Sequence, residues 1–196
     1  MSTYEIIGVV FGLLSVYLTV RERVWCWPTG IVSVVAYGLL FYDIKLYADM
    51  LLQVFFLVTS FQGWYLWLHG GQNRSELPIT RLSRSQMIAF GFGLVICAAA
   101  IGYVFDTYTD AHIPFWDAAA SSMSVLAQVL LMRKKFENWH LWIAVDVLSI
   151  GIYIYKEIYL TAGLYVVFLA LAIGGLLAWR RVVAPALVTA TQATRV

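Results

Sequence analysis

Asp146 follows Trp139 by seven residues and Trp142 by four, in the stretch ENWHLWIAVD (137–146) at the head of a long apolar run. On a helix these three side chains leave from one face. An aromatic face beside a carboxylate is a receptor for a flat organic cation, through the ring quadrupole and charge pairing. At about 1.5 Å of rise per residue, Asp146 lies roughly 10 Å along the helix from Trp139. If the run crosses a bilayer, that depth is near the membrane centre. An ionisable side chain there is costly and marks a functional site by default.

Other chemistries are missing from the sequence. It has no G-x-x-x-x-G-K-[ST] phosphate loop, no H-E-x-x-H pair and no G-x-S-x-G elbow. His69, His112 and His140 are scattered over loops and ends, so neither a metal nor a cofactor is expected. Asp146 reads as the only deep acid, whereas an intramembrane enzyme needs paired acids or a Ser/His set. An enzyme is therefore not expected.

The elements that must position Asp146 follow from composition. The chain has 196 residues, 62% hydrophobic and only 12% charged, against roughly 25% charged for a soluble domain. Seven apolar runs, near 4–20, 24–42, 46–68, 87–105, 114–132, 139–155 and 158–179, approach the roughly 20 residues that span hydrocarbon. The fold class expected is an all-α integral membrane protein with a lipid bilayer as partner. A net charge of +2 gives no reason to expect nucleic acid. The first run lacks a basic leader and reads as a helix, not a cleaved signal. Cys26 and Cys97 fall in different runs at different depths, so no disulfide is expected.

With alternating crossings, one side receives Arg21, Arg23, Arg74, Arg81, Arg84, Arg133, Lys134, Lys135, Arg180, Arg181 and Arg195. The other receives Lys45 and Lys156. Basic residues collect in the cytoplasm, so the N-terminus is expected outside and the C-terminus inside. Residues 69–86 become a polar cytoplasmic linker, 106–113 an acidic outer loop, and 181–196 a flexible cytoplasmic tail.

A repeat lies in the spacing. Residues 112 apart coincide: Glu5 with Asp117, Arg21 with Arg133, Trp27 with Trp139, Tyr47 with Tyr159, Gly63 with Gly175 and Trp67 with Trp179. The unit is three helices, 4–68 and again 114–180, with the helix at 87–105 between them. Three crossings plus one return the chain to its starting side, so the units run parallel, a 3+1+3 arrangement about an axis along the membrane normal. Gly8 and Gly12, matched by Ala120 and Ser124, let helix backbones approach closely. Polar residues present in one unit alone are the candidates for a site near the midplane. Asp146 matches Val34, Gln53 matches Tyr165, Gln128 matches Val16 and Gln62 matches Gly174. Interhelical hydrogen bonding is the plain alternative for the glutamines, and a buried structural partner is the alternative for Asp146. Most tryptophans, Trp25 included, read as interfacial anchors.

IPFWD (113–117), RKKFENWHLW (133–142), YADMLLQVFF (47–56) and GWYLW (63–67), with the 3+1+3 spacing, resemble the PnuC family of vitamin transporters over residues 4–180. The resemblance implies a SWEET-like fold and facilitated diffusion of nicotinamide riboside, an NAD precursor, across a bacterial inner membrane. A cytoplasmic kinase would trap the product. It also implies a homo-oligomer, such as a trimer. Carried over residue by residue, it marks Asn138, Trp139 and Trp142 in the ENWxLW segment and Gln53 as substrate-binding, to which the spacing adds Asp146 and Gln128. At 146, where nicotinamide riboside members carry asparagine, this chain has aspartate. An aspartate suits either permanent cation, the pyridinium of nicotinamide riboside or the thiazolium of thiamine. It suits neutral riboflavin less well, because the carboxylate would stay uncompensated. A membrane-bound enzyme and a sensor subunit are the rival classes, separable from a carrier by product formation and by failure to move any substrate.

Overall fold

The computed structural model describes residues 2–43, 45, 47–108 and 113–193, with the side chains of these except 47, 48 and 184–193. The Tyr47 side chain, His112, Arg195 and the centre of the acidic loop therefore lie outside the described residues. Seven α-helices are present among them: α1 Thr3–Val20, α2 Cys26–Asp43, α3 Tyr47–His69, α4 Arg84–Tyr108, α5 Pro114–Met132, α6 Asn138–Tyr155 and α7 Tyr159–Ala193. Each coincides with one of the seven apolar runs. Helices α1, α3, α4, α5 and α7 contain stretches long and apolar enough to cross a membrane. The other two, α2 and α6, have 18 residues each.

Local chemistry sets the ends. Ser2 and Glu5 form a reciprocal capping box on α1. Ser83 and Gln86 do the same for α4, each side chain accepting from the other's backbone N–H. That box starts α4 three residues before the apolar run. Pro114 occupies the first turn of α5, where its missing N–H costs nothing. At the other extreme, α7 continues to Ala193, so the expected loose tail is helical over most of its length. The segment is rich in alanine, the strongest helix former.

Helix α2 packs between α1 and α3, and α6 packs between α5 and α7. Contacts of α1 with α7 and of α3 with α5 close a ring, and α4 leans on α5. The 112-residue offset recurs in atomic detail. The Trp67 indole N–H donates to the Leu131 carbonyl at 3.2 Å, and that of Trp179 donates to the Thr19 carbonyl at 3.2 Å. Trp27 meets Trp67 edge-to-face with centroids 5.4 Å apart, and Trp139 meets Trp179 likewise at 5.4 Å. Tight turns place Glu22 and Lys134, and Lys45 and Glu157, in the left-handed region, at a cost of about 1–3 kcal/mol each. The small residues act as expected between α1 and α2. Gly8 faces the Tyr37 ring and its carbonyl accepts from Ser33 Oγ at 2.7 Å. Cys26 is buried, Cys97 is exposed, and both are free thiols.

The 69–83 linker is a strap, not a free loop. Leu77 N–H donates to the Trp67 carbonyl, Thr80 N–H to that of Lys134, and Phe136 N–H to that of Thr80. Leu82 N–H donates to Glu137 Oε2 at 3.0 Å, and the Arg81 guanidinium lies 4.9 Å from the Phe136 ring centre. Beneath the strap, Lys134 is buried with its ammonium 4.4 Å from the Trp67 ring centre and 4.0 Å from Glu22. Burial lowers the Lys134 pKa and raises that of Glu22, and their mutual attraction opposes both shifts. The basic loops thus gather at one end of the bundle.

Candidate functional site

A cavity of about 360 Å³ lies between the two helix triples, with walls from α1, α2, α3, α5, α6 and α7. That is within the roughly 300–1,000 Å³ typical of small-molecule sites. Gly12, Ser15, Gly30 and Ser33 line its α1–α2 side, where short side chains leave the room that the cavity occupies.

Asp146 faces this cavity from the middle of α6, at 4% exposure. It makes no hydrogen bond and no ion pair among the described residues. The buried structural partner that would have explained it is absent there. Gln53 and Gln128 line the same cavity and likewise have no hydrogen-bond partner among the described residues. The interhelical bonds expected of ordinary membrane glutamines are therefore not made. Val34, Val16 and Tyr165, the positions matching Asp146, Gln128 and Gln53, are walls of the cavity too. The lining is symmetric in position, and its carboxylate and amide side chains lie on α3, α5 and α6, while α1, α2 and α7 contribute hydroxyls and apolar groups. Gln62 lies apart, exposed on α3.

Trp142 is half-buried and lines the cavity. Trp139 reaches the wall but is 1% exposed, clamped between the Trp179 ring and the Cα of Gly175. Its matching residue Trp27 is held in the same way by Trp67 and Gly63. Trp67 and Trp179 meet at 6.1 Å, so the floor indoles Trp27 and Trp139 are backed by two further buried indoles toward the basic loops. The indole N–H groups of Trp27 and Trp139 have no hydrogen-bond partner among the described residues. Asn138 is not brought to the cavity. As the first residue of α6 it is fully buried, and its Nδ2 donates to the Lys135 carbonyl at 2.6 Å, which ties the turn before the helix.

Sequence reasoning missed the opposite end. Asp49, in the first turn of α3, is a second carboxylate in the cavity wall, and it is exposed. Asp146 is therefore not the only acid of the cavity. The signal was legible in YADMLLQ, where Asp49 and Gln53 share one helical face. Tyr37 with Phe41, and Tyr153 with Tyr165, form two stacked pairs in the walls at 5.9 and 5.3 Å. Their residue types resemble ordinary apolar filling, so nothing in the sequence singles them out.

Residues 2–181 match the family described as nicotinamide mononucleotide transporter. The chain is 30% identical over 207 aligned residues to the nicotinamide riboside transporter PnuC of Escherichia coli (strain K12), covering 91% of this chain and 85% of that one. It is 23% identical over 182 residues to the riboflavin/roseoflavin transporter RibM of Streptomyces davaonensis, covering 89% of this chain and 83% of that one. A crystal structure described as the vitamin B3 transporter PnuC superposes with a TM-score of 0.74 at 22% identity, covering 91% of this chain and 81% of that chain.

Proposed function

Because this chain belongs to the nicotinamide mononucleotide transporter family, the family of PnuC, we propose that its central cavity carries nicotinamide riboside across the membrane by facilitated diffusion. The protein is a membrane transporter and not an enzyme. The observation that carries the choice of substrate is Asp146, a buried carboxylate on the cavity wall with no partner among the described residues. Burying such a charge is expensive unless a cation compensates it. The pyridinium ring of nicotinamide riboside supplies that cation. The Trp142 face stacks on its plane, and Gln53 and Gln128 receive its hydroxyl and amide groups. Trp139 forms the floor, and Asn138 positions the start of α6.

Thiamine is the second reading, favoured by the same carboxylate, since its thiazolium is also a permanent cation. Riboflavin is neutral and would leave Asp146 uncompensated. Calorimetric titration of the purified protein with the three vitamins side by side tests the choice. Binding of nicotinamide riboside with no heat from riboflavin is expected. Tight riboflavin binding alone would overturn it.

The proposed architecture is seven crossings in a 3+1+3, SWEET-like order, with repeats at 4–68 and 114–180, the helix at 87–105 between them, and the N-terminus outside an inner membrane. The paired tryptophan contacts 112 residues apart support the repeat, and the clustering of basic loops supports the orientation. A cysteine at position 106 should then react with an impermeant thiol reagent on intact cells, while one at position 75 should not. Reversed labelling would invert the topology.

Transport should be passive, since no nucleotide-binding motif is present. Sealed vesicles should equilibrate nicotinamide riboside without concentrating it, and accumulation driven by a pH or sodium gradient would contradict this. Phosphorylation by a cytoplasmic kinase would trap the arriving nucleoside, and a homo-oligomer would be the transporting assembly.

A further inference from the structure

The cavity holds two carboxylates at different depths, and only the deeper one enters the reading above. We infer that Asp49, with the aromatic walls around it, is a second cation station at the outer mouth of the cavity, occupied by substrate on its way to Asp146. This rests on the proposed transport of a cationic vitamin and adds an entry step to it.

The geometry of α3 comes first. Asp49, Gln53, Phe56 and Ser60 recur at helical spacing and all line the cavity, so this is the face of α3 turned toward the transport path. Asp49 stands one turn beyond Gln53, about 6 Å along the axis, and roughly 3 Å from the start of the helix. Asp146 lies about 13 Å from the far end of α6 at Tyr155. The two carboxylates are therefore staggered by roughly 10 Å along the bundle. A charge centred on one does not touch the other.

Ion pairing makes Asp49 available. Lys156 is within electrostatic reach of Asp49, but its ammonium is taken by both oxygens of Asp117 at 3.0 Å. That pair ties the first turn of α5 to the end of α6, and its Asp117 carboxylate also lies within electrostatic reach of Asp49. Asp49 has no ion pair among the described residues. The wall at this end is aromatic, with Tyr37 and Phe41 from the last two turns of α2 and Tyr153 from the last turn of α6. A carboxylate in a cavity wall that also holds aromatic rings has the same ingredients as Asp146 with Trp142. Thr161 occupies the position matching Asp49 in the second repeat, so this charge too belongs to one half only.

A mouth of this kind attracts cations and repels anions before any close contact forms. Since it is exposed, its pull weakens with salt. A station on the path lowers the barrier in both directions. It therefore changes the entry and exit rates together and leaves the equilibrium affinity to Asp146.

Stopped-flow tryptophan fluorescence with nicotinamide riboside tests this. Asp49→Asn should slow association and dissociation together by about five- to tenfold, flatten the salt dependence of association, and keep Kd within about twofold. Unchanged rates would overturn the station. A loss of affinity beyond about fivefold without slower association would instead make Asp49 part of the deep site, and would also overturn it. A readout without any vitamin uses Leu52→Cys, a cavity position, in a background of Cys26→Ser and Cys97→Ser. Trimethylammonium and sulfonate methanethiosulfonates are applied, and their rate ratio is compared with that of a free thiol. The preference for the cation should fall about tenfold with Asp49→Asn and persist with Asp49→Glu. An unchanged ratio would overturn the proposal even if both variants fold well. Absence of nicotinamide riboside binding by the unaltered protein would sink the transport reading instead, while the reagent ratio still reports on Asp49.

Discussion

Asp146→Asn should weaken the binding of nicotinamide riboside five- to thirtyfold. The amide keeps the size and hydrogen-bonding capacity of the side chain and removes its charge. A charge pair at about 4 Å contributes roughly 4 kcal/mol at an effective dielectric near 20. Desolvation takes back much of that, which leaves about 1–2 kcal/mol, at 1.4 kcal/mol per decade of affinity. The loss should appear for both cationic vitamins and not for a neutral flavin, whose binding should hold or improve once no buried charge is left uncompensated. Trp142→Ala should cost up to about 2 kcal/mol of the same binding, the worth of a desolvated cation–π contact. Trp25, at 67% exposure and outside the cavity, should tolerate alanine with little loss of affinity. Equal affinity of the Asp146→Asn protein for every cationic vitamin would make the carboxylate a structural group and remove the basis of the substrate assignment.

The second large effect is expected at an uncharged position, Gly175. A Cβ added there would overlap the ring of Trp139, which is already held from the other side by Trp179. Trp139 can retreat only into the cavity that it floors, since Trp179 is fully buried and its N–H is anchored to the Thr19 carbonyl. Overpacking of this kind costs about 1–3 kcal/mol. Gly175→Ala should therefore lower the thermal midpoint of the purified protein and reduce uptake as the cavity floor is displaced. Gly63→Ala should behave in the same way through Trp27. Gly174→Ala is the control, because nothing lies within 4 Å of a Cβ at that neighbouring position. If Gly174→Ala and Gly175→Ala unfold at the same temperature, the indole floor is not closely packed.

These two sites were legible in the sequence to different degrees. Asp146 was found because a charge inside an apolar run is anomalous in one dimension, with no need to know its neighbours. Gly63 and Gly175 were visible as a coincidence at 112 residues, but their purpose was not. A glycine matched to a glycine reveals nothing about which ring lies against it. Asn138 shows the opposite case. It belongs to the segment that carries the family resemblance, yet as the first residue of α6 it answers a carbonyl in the preceding turn and never reaches the cavity. Asp49 does not stand out in the sequence, because the first turn of a helix is an ordinary place for a carboxylate.

Helix existence and approximate ends, the apolar class of the chain and the 112-residue correspondence are local or periodic properties. Hydropathy, 3.6-residue spacing and capping boxes such as Ser2–Glu5 express them without reference to any other part of the molecule. Which polar groups face a common space is different, because it depends on how six helices meet. Trp139 as a clamped floor beside a half-buried Trp142, Gln53 and Gln128 free of interhelical bonds, the strap from Leu77 to Leu82 and Lys156 committed to Asp117 were all decided there. Each depends on a partner beyond the local helical turn, 39 residues away for Lys156 and Asp117, or on a partner's absence, and such a partner leaves no periodic trace in the sequence around either residue.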